Sequence, residues 1–478
     1  MTAVVSGAAE PAADQLPLVH ELTPAPDAVG VFRRMAALRG CVFFDSARPA
    51  GELGRYSFVA AEPFATIAAA AADDPLRQLD AALGRFRSSP IAGLPPFQGG
   101  AAGWLGYELG HSLEALPRPR WDEFCLPDLA AGLYDVVVAF DHLQQRAWVV
   151  SQGFPEQAAA ARRSRAEARL AETLDRLARP PAAPFTLHDA APRELAAAEL
   201  APQSPAGERD GVTSDFSREA YLRAVARAVE YIHAGDIFQV NLSQRLLQPS
   251  RRHPVETYLA LRERNPAPFA GYYDAGLATL CSASPERFVS VRGGVVETRP
   301  IKGTRCRSPD GAADRIIAQQ LLEHPKDRAE NTMIVDLLRN DLSRVCTPES
   351  VRVPKLCGLE SYEHVHHLVS VVTGELAAGA TAVDLLRASW PGGSITGAPK
   401  VRAMEIIAEL EPTARGPYCG SLAYAGFNGA MDSSILIRSL IDARGWLQAP
   451  VGGGIVADSD PEAEYQETWH KAAGLLEP

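Results

Sequence analysis

The chain has 478 residues and a formal net charge of −11, with 46% hydrophobic and 22% charged residues. This length leaves room for more than one domain, and the composition is typical of a soluble globular protein. The acidic balance argues against nucleic acid as a partner, because phosphate binding depends on clustered Lys and Arg.

The cysteines and the N-terminus bear on the compartment. The 7 cysteines are scattered and show no C-x-x-C spacing, which predicts neither a disulfide framework nor a thiolate metal site and favours a cytoplasmic protein. The first basic residue is Arg33, so the charged start of a secretory signal is not seen. We find no run of about 18 apolar residues and expect no membrane segment. The first fifteen or so residues are expected to be disordered because they are small and polar.

The N-terminal part contains short β-rich runs separated by Gly and Pro. The glycines of Gly99–Glu108 predict close backbone packing in a strand or bend; a nucleotide site is less favoured because no strand–loop–helix context surrounds them. Leu133–Phe140 and Ala147–Ser151 predict strands, and Pro155–Arg179 predicts a helix. The Pro- and Ala-rich composition that follows predicts a linker. We therefore predict a first domain over 1–179, a linker over 180–213 and a second domain over 214–478.

The second domain begins with a clear helical pattern. Ser217 is a suitable N-cap, and apolar residues recur on one face until Gly235. The next segment alternates like a strand and places Gln239, Asn241 and Ser243 on one face. Long strands and separate helices without βαβ alternation predict an α+β fold with large antiparallel sheets.

A hairpin is predicted where two β-branched runs meet at Gly293-Gly294. If its ladder extends to the end, Glu286 lies opposite Ile301, and an acid meets the Lys302 amine at the open end. Pro300 cannot donate a ladder hydrogen bond and favours a bulge, which would turn both side chains inward. The alternative is an exposed Glu and Lys at a sheet margin.

Two helices each predict an acidic pair at i, i+3 spacing. The first carries Asp327 and Glu330 on a stripe with core residues, and a buried carboxylate needs a cation or hydrogen bonds. The second begins at Asp460-Pro461 and carries Glu464 and Glu467. Such pairs suit Mg²⁺, which accepts oxygen ligands from one or two carboxylates and retains waters. The alternative is a solvated helix face.

Two glycine-rich stretches and one arginine complete the candidates. Pro391–Lys400 precedes a helix whose N–H groups suit an anion, although it is not a Walker A loop. Gly452–Gly454 allows a ligand to approach the backbone. Arg438 is predicted to alternate along a strand, in Asp432-Ser-Ser-Ile-Leu-Ile-Arg, and its guanidinium suits a carboxylate. Glycine turns without a ligand and a simple salt bridge are the alternatives.

Several long motifs, in order, resemble the chorismate-utilising enzymes, which include anthranilate synthase component I. From about Gly235 to Leu475 they are Asp236-Ile-Phe-Gln-Val-Asn-Leu-Ser, Ser284-Pro-Glu, Glu330-Asn-Thr-Met-Ile-Val-Asp-Leu-Leu-Arg-Asn-Asp, Pro391-Gly-Gly-Ser-Ile-Thr-Gly-Ala-Pro-Lys and Gly452-Gly-Gly-Ile-Val-Ala-Asp-Ser-Asp. The N-terminal part resembles the family more weakly, at Phe44-Asp-Ser-Ala and Gly99–Glu108. The resemblance implies antiparallel sheets in a sandwich-like core surrounded by helices.

The resemblance also implies a reaction. Anthranilate synthases have alanine where this chain has Lys302, and Lys302 is similar to the lysine of members that aminate chorismate at C4. Members that use water place a lysine base where Gln239 stands, so Gln239 implies ammonia as the nucleophile. The expected product is 4-amino-4-deoxychorismate, for p-aminobenzoate and folate biosynthesis or a related pathway.

The resemblance assigns roles to individual residues. It implies that Glu330 and Glu467 bind Mg²⁺, with Asp327 and Glu464 beside them, and that Glu286 is the acid near the C4 hydroxyl. The substrate carboxylates would be held by Tyr418, Arg438, Gly452, Gly453, Gly454 and Lys471. The pocket would also be lined by His367, Ser394, Ile395 and Thr396.

The Phe44-Asp-Ser motif resembles the family's tryptophan-binding loop, in which Ser46 would contact the ligand. Asp45 stands where many members have Glu, which argues against retained tryptophan control.

The implied mechanism is covalent: Glu286 protonates the leaving hydroxyl, Lys302 adds to C2, and ammonia displaces the lysine. We see no glutaminase motif around the cysteines and expect ammonia from a separate glutamine amidotransferase subunit. The alternatives are anthranilate synthase component I and a non-catalytic, tryptophan-binding regulatory or scaffold subunit.

Overall fold

The computed structural model describes residues 16–48, 53–180, 183–186, 195–206, 209, 211–361 and 365–476. The segment expected to be disordered, the first fifteen residues, lies outside these ranges. The helices are α1 Ala28–Met35, α2 Pro75–Gly84, α3 Ala159–Ala178, α4 Arg218–His233, α5 Pro254–Arg264, α6 Gly311–Glu323, α7 Pro325–Ser343, α8 Ala382–Ser389, α9 Lys400–Leu410 and α10 Pro461–Ala473. Across these described ranges, none of the helices has the length and apolar character needed to cross a bilayer.

The strands of the N-terminal half are β1 Leu18–Leu22, β2 Val42–Asp45, β3 Tyr56–Ala60, β4 Ala65–Ala69, β5 Gly100–Leu105, β6 Leu129–Tyr134, β7 Val136–Asp141 and β8 Arg146–Ser151. Those that follow are β9 Ser204–Pro205, β10 Thr213–Ser214, β11 Gln239–Pro249, β12 Phe269–Asp274, β13 Ala278–Ser284, β14 Arg287–Arg292, β15 Val295–Thr298 and β16 Ile301–Cys306. The last are β17 Arg352–Ser361, β18 Val365–Glu375, β19 Gly397–Ala398, β20 Ser421–Gly426, β21 Met431–Ser434, β22 Ser439–Ala443 and β23 Trp446–Ile455.

Two large antiparallel sheets form the centre of the molecule. The first has the order β1-β8-β7-β3-β2-β12-β13-β22-β23-β11-β10-β9, with β19 beside β11. The second has the order β16-β18-β15-β14-β21-β20-β5-β6-β4, with β17 also paired to β18. Phe58 and Leu280 of the first sheet share one hydrophobic cluster with Trp104 and Tyr424 of the second. The sheets therefore pack face to face, and the predicted α+β sandwich is confirmed.

Strands from both sides of the predicted linker belong to the same sheets. In the first sheet β2 pairs with β12, and in the second β5 pairs with β20. Within the described part of 180–213, Leu195 and Val212 are buried, and β9 adds an edge to the first sheet. The division into two domains stays a prediction, and the packing shows that the two segments share one architecture.

The segment predicted as one strand, Leu133–Phe140, is two strands in two different sheets. β6 ends at Tyr134 and pairs with β5, whereas β7 begins at Val136 and pairs with β8. Asp135 lies between them, 1% exposed, and its carboxylate is held by Arg165. A paired carboxylate at this point lets the chain cross from one sheet to the other without burying an unpaired charge.

The helix signals were mostly accurate. Ser217 caps α4, and Asp460 caps α10 ahead of Pro461, as predicted. The apolar spacing of α9 predicts that Val401, Met404 and Ile407 face inward. Met404 and Ile407 are buried, whereas the prediction is wrong for Val401, which is 38% exposed.

The hairpin is confirmed at its turn and wrong at its open end. Arg292 pairs with Val295 across Gly293-Gly294. The ladder between β14 and β15 reaches only Ser290 and Glu297, and Ile301 pairs instead with Val369 of β18. Pro300 supplies the physical reason, since it interrupts hydrogen bonding and lets the chain continue along β18. Lys302 reaches the site from this strand and not from a pairing with β14.

The glycines of Gly99–Glu108 serve close packing, as predicted. A Cβ on Gly103 would lie 2.1 Å from the carbonyl oxygen of Ala130 and 2.6 Å from the Cα of Ala131. The contact is with backbone atoms of the paired strand β6, which cannot move aside without breaking the sheet.

We expect Gly103→Ala to destabilise the protein by about 1–3 kcal/mol or more, because overpacking forces the backbone apart. A matched change is Gly84→Ala at the end of α2, where a Cβ would meet nothing within 4 Å. Thermal unfolding followed by circular dichroism should show a lower midpoint for Gly103→Ala and an unchanged or higher midpoint for Gly84→Ala. Equal midpoints for the two variants would contradict this account of β5.

Candidate active site

A cavity of about 710 Å³ lies where the second sheet, α7, α10 and strands of the first sheet meet. Its walls contain most of the side chains that the sequence singled out. These are Glu286, Lys302, Asp327, Glu330, His367, Ser394, Ile395, Tyr418, Arg438, Gly452, Gly453, Gly454, Glu464, Glu467 and Lys471. Residues up to 185 positions apart in sequence, from Glu286 to Lys471, therefore converge on one space.

Glu286 and Lys302 face this cavity together. Glu286 follows β13 and is 8% exposed. Burial raises the pKa of its carboxyl to about 7, against the opposing effects of the Ser394 hydroxyl and the Lys302 charge. A carboxyl with this pKa is largely protonated at slightly acid pH and still donates protons near neutrality. Lys302, on β16, is half-buried.

The acidic pair of α10 meets the glycine stretch of β23. A Cβ on Gly453 would lie 3.1 Å from Glu464 Oε2, 3.6 Å from Glu467 Oε1 and 3.7 Å from Lys471 Nζ. Because Gly453 has no side chain, space remains where the carboxylates of Glu464 and Glu467 and the ammonium of Lys471 come together. Lys471 Nζ lies 2.5 Å from Glu467 Oε1 and donates to the carbonyl of Gly452 at 2.8 Å.

Glu464 is half-buried on α10. Burial raises the pKa of its carboxyl, the Ser459 hydroxyl opposes this shift, and the neighbouring Glu467 charge adds to it. Two like charges held this close repel each other, and a cation between them would relieve the repulsion.

The acidic pair of α7 also lines the cavity. Glu330 is half-buried, so it is more accessible than the buried stripe position predicted from sequence. Asp327 accepts a hydrogen bond from Arg305 at 3.0 Å, and His324 Nδ1 lies 3.1 Å from the same carboxylate. Asn331, the next residue in the chain after Glu330, is fully buried.

Arg438 is at a bend and not within a strand, which corrects the sequence prediction. β21 ends at Ser434, β22 begins at Ser439, and Arg438 has φ +54°. This left-handed backbone is unfavourable for a residue with a Cβ, and the surrounding structure must hold it in place. Burial lowers the pKa of the guanidinium, and Nη1 donates to the carbonyl of Lys471 at 3.1 Å. Tyr418 lies in the same wall, and burial raises the pKa of its hydroxyl.

The middle of the Pro391–Lys400 segment lines the cavity, and its lysine does not. Ser394 and Ile395 line the cavity, whereas Thr396 is fully buried behind them and donates to the carbonyl of Gly392 at 3.0 Å. Lys400 points into the core, where its Nζ binds Asp341 Oδ2 at 2.8 Å. The loop therefore shapes the wall, and its lysine anchors α9 to α7.

His367, on β18, lines the cavity with Nδ1 2.8 Å from Thr304 Oγ1. Burial lowers the pKa of its imidazole, with smaller effects from charged neighbours. A neutral ring suits a role in shape and hydrogen bonding.

Several residues of the cavity wall were not predicted from the sequence. Asn241 and Ser243 lie in the wall, and their shared face with Gln239 was the available signal. Gln239 itself is buried behind this wall with its amide 2.8 Å from the Cβ position of Gly454. Arg415 also lines the cavity, but it follows α9 in a turn and carried no periodic signal.

Ser46 lies outside this cavity, in a separate pocket of about 50 Å³. Its hydroxyl donates to the carbonyl of Tyr56 at 2.6 Å. Asp45 accepts from the Tyr258 hydroxyl at 2.8 Å and from Arg262 Nε at 2.5 Å, so its carboxylate is engaged in the core. Tryptophan binding at Ser46 stays a prediction.

The donor set can be compared with the metal that the sequence predicts. Among the residues that the structure describes, no three His, Cys, Asp or Glu side chains are already grouped as metal ligands. The cavity nevertheless carries carboxylates from both α7 and α10, and those of Glu464 and Glu467 converge at Gly453. Oxygen donors from few side chains, with space for substrate and water, fit Mg²⁺ better than a softer metal.

The chain matches known proteins over most of its length. Residues 39–477 match the family described as chorismate binding enzyme. Anthranilate synthase component 1 of Thermus thermophilus is 46% identical over 383 residues, covering 80% of this chain and 78% of that protein. Aminodeoxychorismate synthase component 1 of Klebsiella aerogenes is 45% identical over 381 residues, covering 80% and 77%.

A solved structure shows the same fold. Anthranilate synthase component I from Streptococcus pneumoniae superposes with a TM-score of 0.73 at 31% identity, covering 88% of this chain and 92% of that chain.

The buried Glu286 should make stability depend on pH. Because its pKa of about 7 in the fold exceeds the ordinary 4.5, the folded state binds the extra proton and stability falls as pH rises between these values. We expect Glu286→Gln to unfold at a higher temperature than the parent at pH 8 and at nearly the same temperature near pH 4.5. The matched change at the exposed Glu349 should shift neither midpoint. A pH-independent difference for Glu286→Gln would show that the carboxyl is not titrating in the fold.

Proposed function

The chain belongs to the family of chorismate binding enzymes, and we propose that it is the chorismate-aminating component of an aminodeoxychorismate synthase. In this proposal it converts chorismate and ammonia to 4-amino-4-deoxychorismate and water. The product leaves with its enolpyruvyl group in place and would serve p-aminobenzoate and folate formation or a related pathway. The enzyme would work in the cytoplasm.

The observation that carries the proposal is the shared cavity of Glu286 and Lys302. Overall similarity does not separate the two candidate reactions, because the anthranilate synthase and aminodeoxychorismate synthase relatives are 46% and 45% identical. A single side chain bears on the choice. Lys302 supplies an amine inside the cavity, and an alanine at this position would have no nucleophile to offer.

The first step replaces the C4 hydroxyl with a covalent link to the enzyme. Hydroxide is a poor leaving group, so protonated Glu286 donates its proton to the C4 oxygen, which departs as water. The neutral Lys302 amine adds to C2, and the ring double bonds shift. The result is a secondary ammonium adduct and a Glu286 carboxylate, which balances the proton given to water. Covalent catalysis gains rate by dividing one difficult displacement into two easier ones.

The second step reverses the shift. Ammonia bonds to C4, the double bonds return, and the C2–N bond breaks with its electron pair on Lys302. The new C4 ammonium returns one proton to Glu286, so both residues regain their starting states. Gln239, behind the wall next to Gly454, supports ammonia as the nucleophile because it cannot act as the base that water addition requires.

The substrate would be held by its carboxylates. Arg438, Tyr418, Lys471 and the backbone of Gly452–Gly454 lie in one part of the wall. Glu330 and Glu467, with Asp327 and Glu464 beside them, would hold Mg²⁺. When bound, this ion offsets the negative charge of the substrate next to the acidic helices.

Ammonia would come from a separate glutamine amidotransferase subunit. The names of the relatives support this, since both are a component 1. Free ammonium would replace the partner in an assay.

Two alternatives make different predictions. An anthranilate synthase would aminate C2 and accumulate a fluorescent product. A non-catalytic tryptophan-binding subunit would bind chorismate without converting it. Glu286, Lys302 and the acidic helices share one cavity. Their presence together favours a catalytic role over the scaffold role. The lysine favours amination at C4 over the anthranilate synthase reaction.

The product test is direct. Purified protein with chorismate, Mg²⁺ and ammonium should form 4-amino-4-deoxychorismate, identified by mass. Anthranilate in its place would select the first alternative, and bound but unconverted chorismate the second.

We expect Lys302→Ala to lower the rate of 4-amino-4-deoxychorismate formation by roughly 10²-fold or more, because the covalent route is lost. Protein quenched during turnover and digested should carry a chorismate-derived adduct on the peptide containing Lys302. The control is Lys355→Ala, which removes an ion pair with Glu360 and should keep both the rate and the adduct. An adduct on another residue would overturn the assignment.

We expect Glu330→Gln to raise the Mg²⁺ concentration for half-maximal activity at least about tenfold, because one charged ligand becomes neutral. Electron paramagnetic resonance with Mn²⁺ as the probe should show the same weakening without any turnover. Asp336→Asn is the matched change on the exposed side of the same helix, where the carboxylate meets only Arg339 among the bonds described. Unchanged Mn²⁺ binding in Glu330→Gln would remove this residue from the ion site.

A further inference from the structure

Three consecutive carbonyl groups in the loop beside Glu286 are each held by a hydrogen bond from the cavity wall. Asn241 Nδ2 donates to the carbonyl of Ser394 at 2.9 Å. Arg415 Nη1 donates to that of Ile395 at 3.1 Å. The backbone N–H of Asn241 donates to that of Thr396 at 2.8 Å. A loop fixed at three successive peptide units has very little freedom to move.

Each of the three nitrogens of the Arg415 guanidinium donates a hydrogen bond. It is 6% exposed, and Nε and Nη2 bind the two oxygens of Glu411 at 2.8 and 2.6 Å. Nη2 also donates to the carbonyl of Asn241 at 2.8 Å. Its guanidinium carbon lies 4.5 Å from the ring centre of Tyr107. A buried arginine needs such partners to offset its desolvation, and here they also fix its orientation.

The partners tie distant parts of the chain together. Glu411 accepts from both the N–H and the hydroxyl of Ser243 at 2.8 Å. Glu108, from the glycine-rich N-terminal stretch, accepts from the N–H groups of Arg415 and Gly416 at 2.8 and 2.9 Å. The bottom of the cavity wall is therefore one hydrogen-bonded unit built from the N-terminal stretch, β11 and the turn after α9.

This hydrogen-bonded unit includes the loop beside Glu286, the proposed acid. Ser394 lies in this loop and lines the same cavity as Glu286, and its hydroxyl lowers the pKa of the Glu286 carboxyl. We infer that Arg415 is a positioning residue, which holds the carbonyl of Ile395, and with it the loop, so that the Ser394 hydroxyl stays beside Glu286. The inference rests on the proposed role of Glu286. Arg415 lines the cavity, but its donors are engaged by Glu411 and by two carbonyls, so its role is to support the loop.

Besides burial, two groups among the described residues act on the pKa of Glu286. They are the Ser394 hydroxyl and the charge of Lys302 on β16, and both lower the pKa of Glu286. Moving Ser394 away removes one of these influences and leaves the other. The pKa of Glu286 should then rise further, and the acid should lose its alignment with the leaving oxygen.

The experiment uses Ser394→Ala, Arg415→Lys and the double variant. We expect each single change to lower kcat for chorismate consumption roughly tenfold, a part of the 10²–10⁴ that a placed acid contributes. The double variant should be no slower than the slower single variant, because both changes break the same link. Effects that multiply in the double variant would overturn the inference.

A second measurement follows the acid itself. The infrared band of the protonated Glu286 carboxyl is identified by its loss in Glu286→Gln, and its midpoint is followed with pH. We expect about half a pH unit or more of upward shift in both single variants. Arg402→Lys is the control, since Arg402 forms a partly exposed pair with Glu405, and it should change neither midpoint nor kcat. A midpoint that moves in Ser394→Ala but not in Arg415→Lys would overturn the inference.

Folding and function are kept separate in this design. If Arg415→Lys is insoluble, Asn241→Ala removes the donor to the Ser394 carbonyl and leaves the Arg415–Glu411 pair in place. It should reproduce the shift, and its failure to do so would count against the inference. The rate is measured as chorismate loss, so a wild-type product other than 4-amino-4-deoxychorismate refutes the proposed function without deciding the role of Arg415.

Discussion

The burial of Glu286 beside an amine is the constraint on which this site depends. A carboxyl shielded from water prefers its neutral form, and a neutral carboxyl is an acid ready to give a proton. Lys302 opposes that preference through its charge, so the two groups must be close enough to act on one substrate without forming a tight ion pair. The structure meets this condition by placing Lys302 on an edge strand that runs along β18, apart from the strand that follows Glu286.

The architecture explains how such a site is assembled. A chain that crosses between two packed sheets brings residues from many segments to one end of the sandwich. β11 and β23 pair over their whole length, and this pairing brings the glycines of β23 against the polar face of β11. α10 then crosses β23 with its acidic residues over Gly453. The N-terminal strands complete the same sheets, and Glu108 reaches the rear of the cavity wall.

The sequence predicted what local rules determine. Caps at Ser217 and Asp460 and the turn at Gly293-Gly294 depend on a few neighbouring residues, and all three are confirmed. The fold class and the convergence on one cavity came from motifs. Strand partners were less predictable, because register depends on which distant strand offers the better pairing. That is why Lys302 was placed on the wrong neighbour, and why the sheet change at Asp135 and the bend at Arg438 were missed.

The charges of the cavity set a last condition on the proposed reaction. Chorismate carries two carboxylates, and the cavity already contains Asp327, Glu330, Glu464 and Glu467. Lys302 cannot balance a substrate carboxylate, because an amine that attacks carbon must be neutral. The guanidinium of Arg415 is engaged with Glu411, which leaves Arg438 and Lys471 as the basic side chains nearest the glycine wall. Lys471 in turn is paired with Glu467. Arg305 is paired with Asp327, and Lys326 is the remaining Lys or Arg of the lining. These four basic residues are matched by the four acidic ones, so the two substrate carboxylates add negative charge that the lining does not balance. A divalent cation held by the acidic helices would offset that charge, which is the physical reason to expect one.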